Sequence, residues 1–129
     1  MTSSTDQNKA VVRRFMTEVL QDGHLDVLDE VLAPTYVNPA MGGADLAGFK
    51  AILTGMAAAV RMRFTITDLT AEGDAVVARF TLEVTRTSGE KLAAQGLTYY
   101  RLADGKIVED DPFTRPDLGQ LLGMVPPAS

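Results

Sequence analysis

At Met62 the spacing of apolar residues switches from a helical repeat to alternation, which divides the chain into helices first and strands after. The clearest stretch is Val76, Ala78, Phe80, Leu82 and Val84, alternating with Val77, Arg79, Thr81, Glu83 and Thr85. A strand there has one wholly apolar face and one mostly polar face. Phe64, Ile66 and Leu69 predict an earlier strand that leaves through a turn at Glu72-Gly73-Asp74. Ser88-Gly89 turns the chain into a third strand from Lys91 to Leu102, and Asp104-Gly105 is a hairpin signal into a fourth, from Ile107 to Phe113.

Before the switch the pattern is helical. Val11, Val12, Phe15, Met16, Val19 and Leu20 follow a capping-box pattern of Ser4 and Gln7, and Gly23 is expected to stop this helix. Leu25, Leu28, Val31 and Leu32 predict a short second helix, ended by Pro34, with Tyr36 to Asn38 as an extended stub before Pro39. A third helix follows the Gly42-Gly43 turn, with Leu46, Phe49, Ile52, Leu53, Met56 and Val60 on one stripe and Ala57 to Ala59 as a smooth side for close packing. A short helical tail is expected over Leu118 to Leu122. The order predicts an α+β domain, with three N-terminal helices packed on a strongly curved, cone-like, four-stranded antiparallel sheet. Helices fill the concave face of such a sheet only in part, which leaves a cavity of the kind that is apolar with a few convergent polar groups.

Composition narrows the partners. With 129 residues, 46% of them hydrophobic, the chain reads as one small-molecule-binding domain over residues 1–129 with a proper core. A formal charge of -5 without a block of Lys or Arg gives no footprint for nucleic acid or for an anionic membrane. Cysteine is absent, which excludes disulfides and thiolate chemistry, and His24 is the one histidine, so neither a metal nor another cofactor is expected. The polar stretch from Met1 to Lys9 is not followed by an uninterrupted apolar run, and the expectation is a cytoplasmic protein.

The first helix, Tyr36-Val37-Asn38-Pro39, Ala71-Glu72-Gly73-Asp74 and the run from Tyr100 to Glu109 together resemble the nuclear-transport-factor-like (ketosteroid isomerase-like) cone-fold superfamily. Within it the chain is most similar to the SnoaL-like polyketide cyclase domains, from about Asn8 to Gly123. The scaffold hosts isomerases, cyclases, epoxide hydrolases and pure binding domains, so its residues must decide. The resemblance to ketosteroid isomerases places Asn38, Phe15 and Thr98 where that family has its proton-transferring Asp, its oxyanion-binding Tyr and its hydrogen-bonding Asp. None of these groups is kept, and an amide cannot take the proton. The resemblance to limonene epoxide hydrolases implies that Tyr36 and Asn38 bind water and that Arg79 assists, but Thr81 stands where an Asp is expected and the second Asp falls near Asp110 or Asp111. In the polyketide cyclases an acid on the last strand aligns with Asp110, and its His partner aligns with Gly96.

The pocket-facing set implied by the fold is Arg79, Thr81 and Glu83 on the second strand, Gly96, Thr98 and Tyr100 on the third, and Val108 and Asp110 on the fourth. The alternative is that Arg79, Thr81 and Glu83 form an ordinary solvated sheet face. Asp110 and Asp111 are adjacent, so only one can enter the cavity, and Asp110 is the candidate acid/base with Arg79 beside it. Phe15, Tyr36, Asn38, Met56, Thr81, Glu83, Thr98 and Tyr100 are the candidate substrate-binding residues. Met41 and Met62 either line an adaptable cavity with Met56 or belong to the core. The expected ligand is a small, hydrophobic, oxygenated organic molecule, and the expected chemistry is cofactor-free proton transfer in a cyclase or isomerase. The alternatives are a non-catalytic binding domain and an epoxide hydrolase. A homodimer is expected through the outer face of the sheet, with Phe80, Leu82 and Val84 as its apolar contacts.

Overall fold

Val12, Phe15, Met16 and Val19 fall on one side of a helix, and all four are buried. In the computed structural model, which describes residues 4–117, this helix runs as α1 (Ser4–Arg14) and continues as a wider π-helical segment (Phe15–Gln21). Gly23, with φ 75°, ends it as expected. Gln21 leaves the wide turn so that its Oε1 accepts the Phe64 N–H at 2.8 Å. The second helix is a 3-10 turn (Leu25–Val27) followed by a single α-turn, α2 (Leu28–Val31). The expected helical tail, Leu118 to Leu122, lies outside the described residues.

The sheet differs from the expectation in a way that matters for function. It has six strands, not four, and it is mixed rather than antiparallel throughout. The order is β2-β1-β6-β5-β4-β3, where β1 is Leu32–Asn38, β2 Ala44–Asp45, β3 Val60–Glu72, β4 Ala75–Arg86, β5 Lys91–Ala103 and β6 Lys106–Arg115. The apparent stub at Tyr36 is the end of β1, which pairs parallel to β6. Pro34 hides this strand in the sequence because it has no N–H for a ladder. The structure tolerates it because the β1–β6 register breaks between Leu32 and Val37, where Pro34 sits.

The third helix, α3 (Leu46–Ala59), is capped by Asp45, whose Oδ1 accepts the Gly48 N–H at 2.9 Å. It buries Phe49, Leu53 and Met56, whereas Ala57, Ala58 and Ala59, expected as a smooth packing side, are exposed. Val60, assigned to the helix by its spacing, is instead the first residue of β3, paired with Arg86. A β-branched residue at a helix end passes readily into a strand when a partner is available.

The long antiparallel ladder of β3, β4, β5 and β6 matches the predicted meander. Asp104 and Gly105 both have positive φ, 52° and 78°, the geometry a two-residue hairpin of right-handed twist requires. Irregularities in β3 between Ile66 and Asp68, and in β6 opposite Arg101 and Leu102, bend the sheet. The helices and the even-numbered residues of β4 close over one another in a single core that includes Val12, Phe15, Phe49, Phe80, Leu82 and Tyr100.

Candidate functional site

The polar end of the core is built from the end of β1. Asn38 closes the turn Pro39–Met41 by accepting the Met41 N–H on its Oδ1 at 3.2 Å. With that oxygen engaged, the amide presents Nδ2 the other way and donates to the Tyr36 hydroxyl oxygen at 3.2 Å. Tyr36 then donates its proton to Asp110 Oδ2 at 2.9 Å. The result is a directional chain of hydrogen bonds, Asn38 to Tyr36 to Asp110, which exists only because β1 and β6 are neighbours.

Asp110 reaches the inner face by a bulge. Leu102 pairs with Ile107 and Arg101 with Glu109, so Val108 is the extra residue. The bulge allows both Ile107 and Asp110 to face inward, and it displaces Val108 from the position expected for it; Ile107 is buried there instead. Asp111 lies on the opposite face, paired with Tyr99, as the alternation requires.

The surroundings of Asp110 are aromatic and dry. The rings of Tyr36 and Phe49 lie 5.0 Å apart, and Phe15 packs edge-on to Tyr100 at 6.1 Å. Asp110 is only 4% exposed, and burial pushes its carboxyl up to about 7; the Tyr36 hydroxyl pulls it partly back, and the Asp111 charge adds to the rise. Burial and then the Asp110 charge raise both the Tyr36 and Tyr100 phenols, so each stays protonated and serves as a donor. Among the described residues no group of His, Asp or Glu side chains is gathered to hold a metal ion.

Asn38, Thr98, Tyr100 and Asp110 line one side of a cavity whose other walls include Met16, Met41, Met56 and Met62. The cavity has a volume of about 40 Å³. A ligand larger than a few waters must therefore displace side chains. Unbranched methionines are suited to that.

The structure thus gathers Asp110, Asn38, Thr98, Tyr100 and Met56 at the cavity, with Tyr36 bonded to Asp110 but outside the lining and Phe15 packed against Tyr100. It does not bring Arg79, Thr81 or Glu83 there. These three lie exposed on the outer face, where the Arg79 side chain is 69% exposed and lies 3.8 Å from Asp68. The reason is register: β4 and β5 partners are both even or both odd, as in Ala78 with Thr98 and Phe80 with Gly96, and directly paired residues share a face. Odd positions of β4 therefore cannot share a pocket with even positions of β5. By the same register, Phe80, Leu82 and Val84 are core rather than dimer face.

Phe80 also explains Gly96. A Cβ at Gly96 would stand 2.7 Å from Phe80 Cζ and 2.9 Å from Thr114 Cγ2. The phenyl ring lies against the bare backbone of Gly96, the position that the resemblance to polyketide cyclases aligned with a His, so a ring and not open space stands there. Pattern reading missed Phe80, Pro112 and Thr114 as cavity residues. For Phe80 and Thr114, alternation carried from Asp110 along β6 and across the strand pairs was the available signal. His24 is exposed and takes no part.

A bent mixed sheet closed by helices over a buried carboxyl defines a pocket domain of the nuclear-transport-factor-like fold. The SnoaL-like domain model matches residues 12–110, and the chain belongs to that family. The fold is similar to that of TsrD from Streptomyces laurentii, at 21% identity and TM-score 0.77, over 96% of this chain and 100% of that one. An LEH-like epoxide hydrolase from M. tuberculosis matches at 20% identity and TM-score 0.77, over 93% of this chain and 92% of that one. A candidate polyketide cyclase from Acidithiobacillus ferrooxidans matches at 24% identity and TM-score 0.76, over 96% of this chain and 100% of that one. No curated protein matches the chain. No helix among the described residues is long and apolar enough to cross a membrane.

Proposed function

We propose that this protein is a cofactor-independent, cytoplasmic enzyme of the cyclase or isomerase type, acting as a single domain on a hydrophobic, oxygenated, polyketide-like small molecule. Asp110 is its acid/base group. The observation that carries this reading is a carboxyl buried in an apolar cavity and held by one phenol, Tyr36, at 2.9 Å. Such a carboxylate takes a proton from an activated carbon and returns it to the alkoxide formed when the new carbon–carbon bond closes. Tyr36 and Asn38 hold the carboxyl in position, and Thr98 and Tyr100 offer hydroxyls to substrate oxygens. Arg79 has no role in this scheme, because its side chain is on the far side of the sheet.

A second reading, hydration of an epoxide, is favoured by the bonded set of Tyr36, Asn38 and Asp110, in which the second Asn38 amide hydrogen and the Asp110 carboxyl are a donor and an acceptor for a single water. A third, ligand binding without turnover, is favoured by Gly96 and Phe80, which leave Asp110 without a basic partner. Incubation with aromatic polyketides, steroids and terpene epoxides separates the three: a cyclised or isomerised product supports the first, diol formation the second, and binding alone the third. For the first, Asp110→Asn should lower turnover by about 10²- to 10⁴-fold with the fold intact. The step in which Asp110 is the base should accelerate as pH rises through about 7, since the carboxyl must be ionised to accept a proton. Unchanged turnover in the purified variant would remove Asp110 from the mechanism.

The proposal includes a homodimer through the outer face of the sheet, by contacts other than those first expected. Leu97 and Phe113 are paired neighbours there, 48% and 63% exposed, beside Tyr99.

A further inference from the structure

Thr114 Oγ1 is shielded from solvent and has no hydrogen-bond partner, unlike every other buried side-chain polar atom among the described residues. A buried hydroxyl left without a partner has lost its bonds to water and gained none in return. A fold that tolerates one has a reason to be sought. Thr114 lines the same cavity as Asp110, four residues further along β6, with Pro112 between them on the same face. Strand geometry sets the two roughly 13 Å apart. Tyr100 stands opposite Asp110, and Gly96 stands opposite Thr114. The wall between is apolar: Phe80 and Leu82 from β4, and Met62 and Phe64 from β3.

We infer that Thr114 is a second polar anchor, so that the cavity takes an elongated apolar molecule with an oxygen at the Asp110 end and another oxygen at the opposite end. This rests on the reading of the cavity as a ligand site and adds the shape and functional groups of what enters. With one hydrogen bond at each end, the two ligand oxygens stand about 8–13 Å apart. That is the span of a molecule of three linearly fused rings. A single-ring compound cannot reach both ends. The hydroxyl left unpaired in the empty cavity gains its partner only when the ligand bears the distal oxygen, which makes the discrimination one of polar pairing rather than of size.

The test uses the intact protein and two probes of equal body length, 2,6-dihydroxyanthraquinone and 2-hydroxyanthraquinone, titrated below neutral pH with affinity as the readout. The wild type is expected to bind the dihydroxy compound about five- to tenfold more tightly, the worth of one hydrogen bond. Thr114→Val should bind both compounds alike, with affinity for the monohydroxy probe retained, and Thr114→Ser should restore the preference. The melting temperature of Thr114→Val should equal or exceed that of the wild type, since it loses a hydroxyl that bonds to nothing. A preference that survives Thr114→Val, a wild type with no preference, or a wild type that binds neither probe overturns the proposal. Binding and turnover are read separately. Loss of the preference in Thr114→Val beside unchanged turnover in Asp110→Asn would uphold the anchor and remove the acid/base role, and the reverse pair of results would do the opposite.

Discussion

Burying one carboxyl among aromatic rings has a consequence for stability that does not depend on knowing the substrate. Asp110 in the folded protein titrates near 7, well above an unfolded Asp near 3.8. Between these values the folded state holds a proton that the unfolded state has released, so stability declines as pH rises from about 4 to about 7 and is level beyond. The loss is on the order of 4 kcal/mol. Asp110→Asn keeps an acceptor for the Tyr36 hydroxyl without the charge. Its melting temperature should exceed the wild type's above pH 7 and vary less with pH, and an Asn variant that melts lower at every pH would contradict the burial argument. Tyr36→Phe tests the other half of the pair. Removing the donor that stabilises the carboxylate moves the Asp110 titration to higher pH, visible in a carbon-13 carboxyl titration. It also strands the Asn38 amide, at a cost of about 1–3 kcal/mol. At this scale the sequence showed that only one of Asp110 and Asp111 can face inward, and in the structure that one is Asp110. The sequence could not show the bonds to Tyr36, because 74 residues separate the partners.

Single strands were more legible than their relations. The apolar face of β4, the Asp104-Gly105 hairpin and the glycine stop of the first helix follow from local chemistry, each complete within a few residues. Facing was lost at two places where it depends on a second strand. One is the β4–β5 register, which takes Arg79, Thr81 and Glu83 out of the cavity, and the other is the single-residue bulge at Val108, which reverses the facing of everything before it on β6. Gly96 belongs to this scale because its bareness serves the ring of the neighbouring strand. Gly96→Ala should destabilise by about 1–3 kcal/mol through overpacking. Adding Phe80→Leu should recover part of that loss in a double-mutant cycle, and strict additivity in chemical denaturation would show that the two positions are not coupled.

For the whole molecule, the outer face is where association is expected. Leu97, Tyr99 and Phe113 form the exposed apolar strip that the core does not use. Phe113→Glu should convert a dimeric mass to a monomeric one in light scattering at micromolar concentration, with little change in the far-ultraviolet spectrum. A wild-type monomer under those conditions would refute the association outright. The face needed for this is opposite to the one implied by the fold resemblance, and the alternative reading, in which Arg79, Thr81 and Glu83 form a solvated sheet face, is the one the structure shows. Assigning Phe80, Leu82 and Val84 outward and Arg79 inward is one error of facing seen from both sides.

What the amino-acid sequence determined by itself is whatever depends on neighbours in the chain: the helical and alternating periods, the turns, the α+β class, and the absence of cysteine. What the tertiary structure decided is which faces meet. Periodicity states that a strand has two faces without stating which one is covered, and one bulge or one even-numbered register settles it. The parallel seating of β1 on β6 lies beyond any local pattern, since its residues are far apart in the chain and Pro34 masks the strand. That seating places Tyr36 and Asn38 against Asp110, and the site exists because of it.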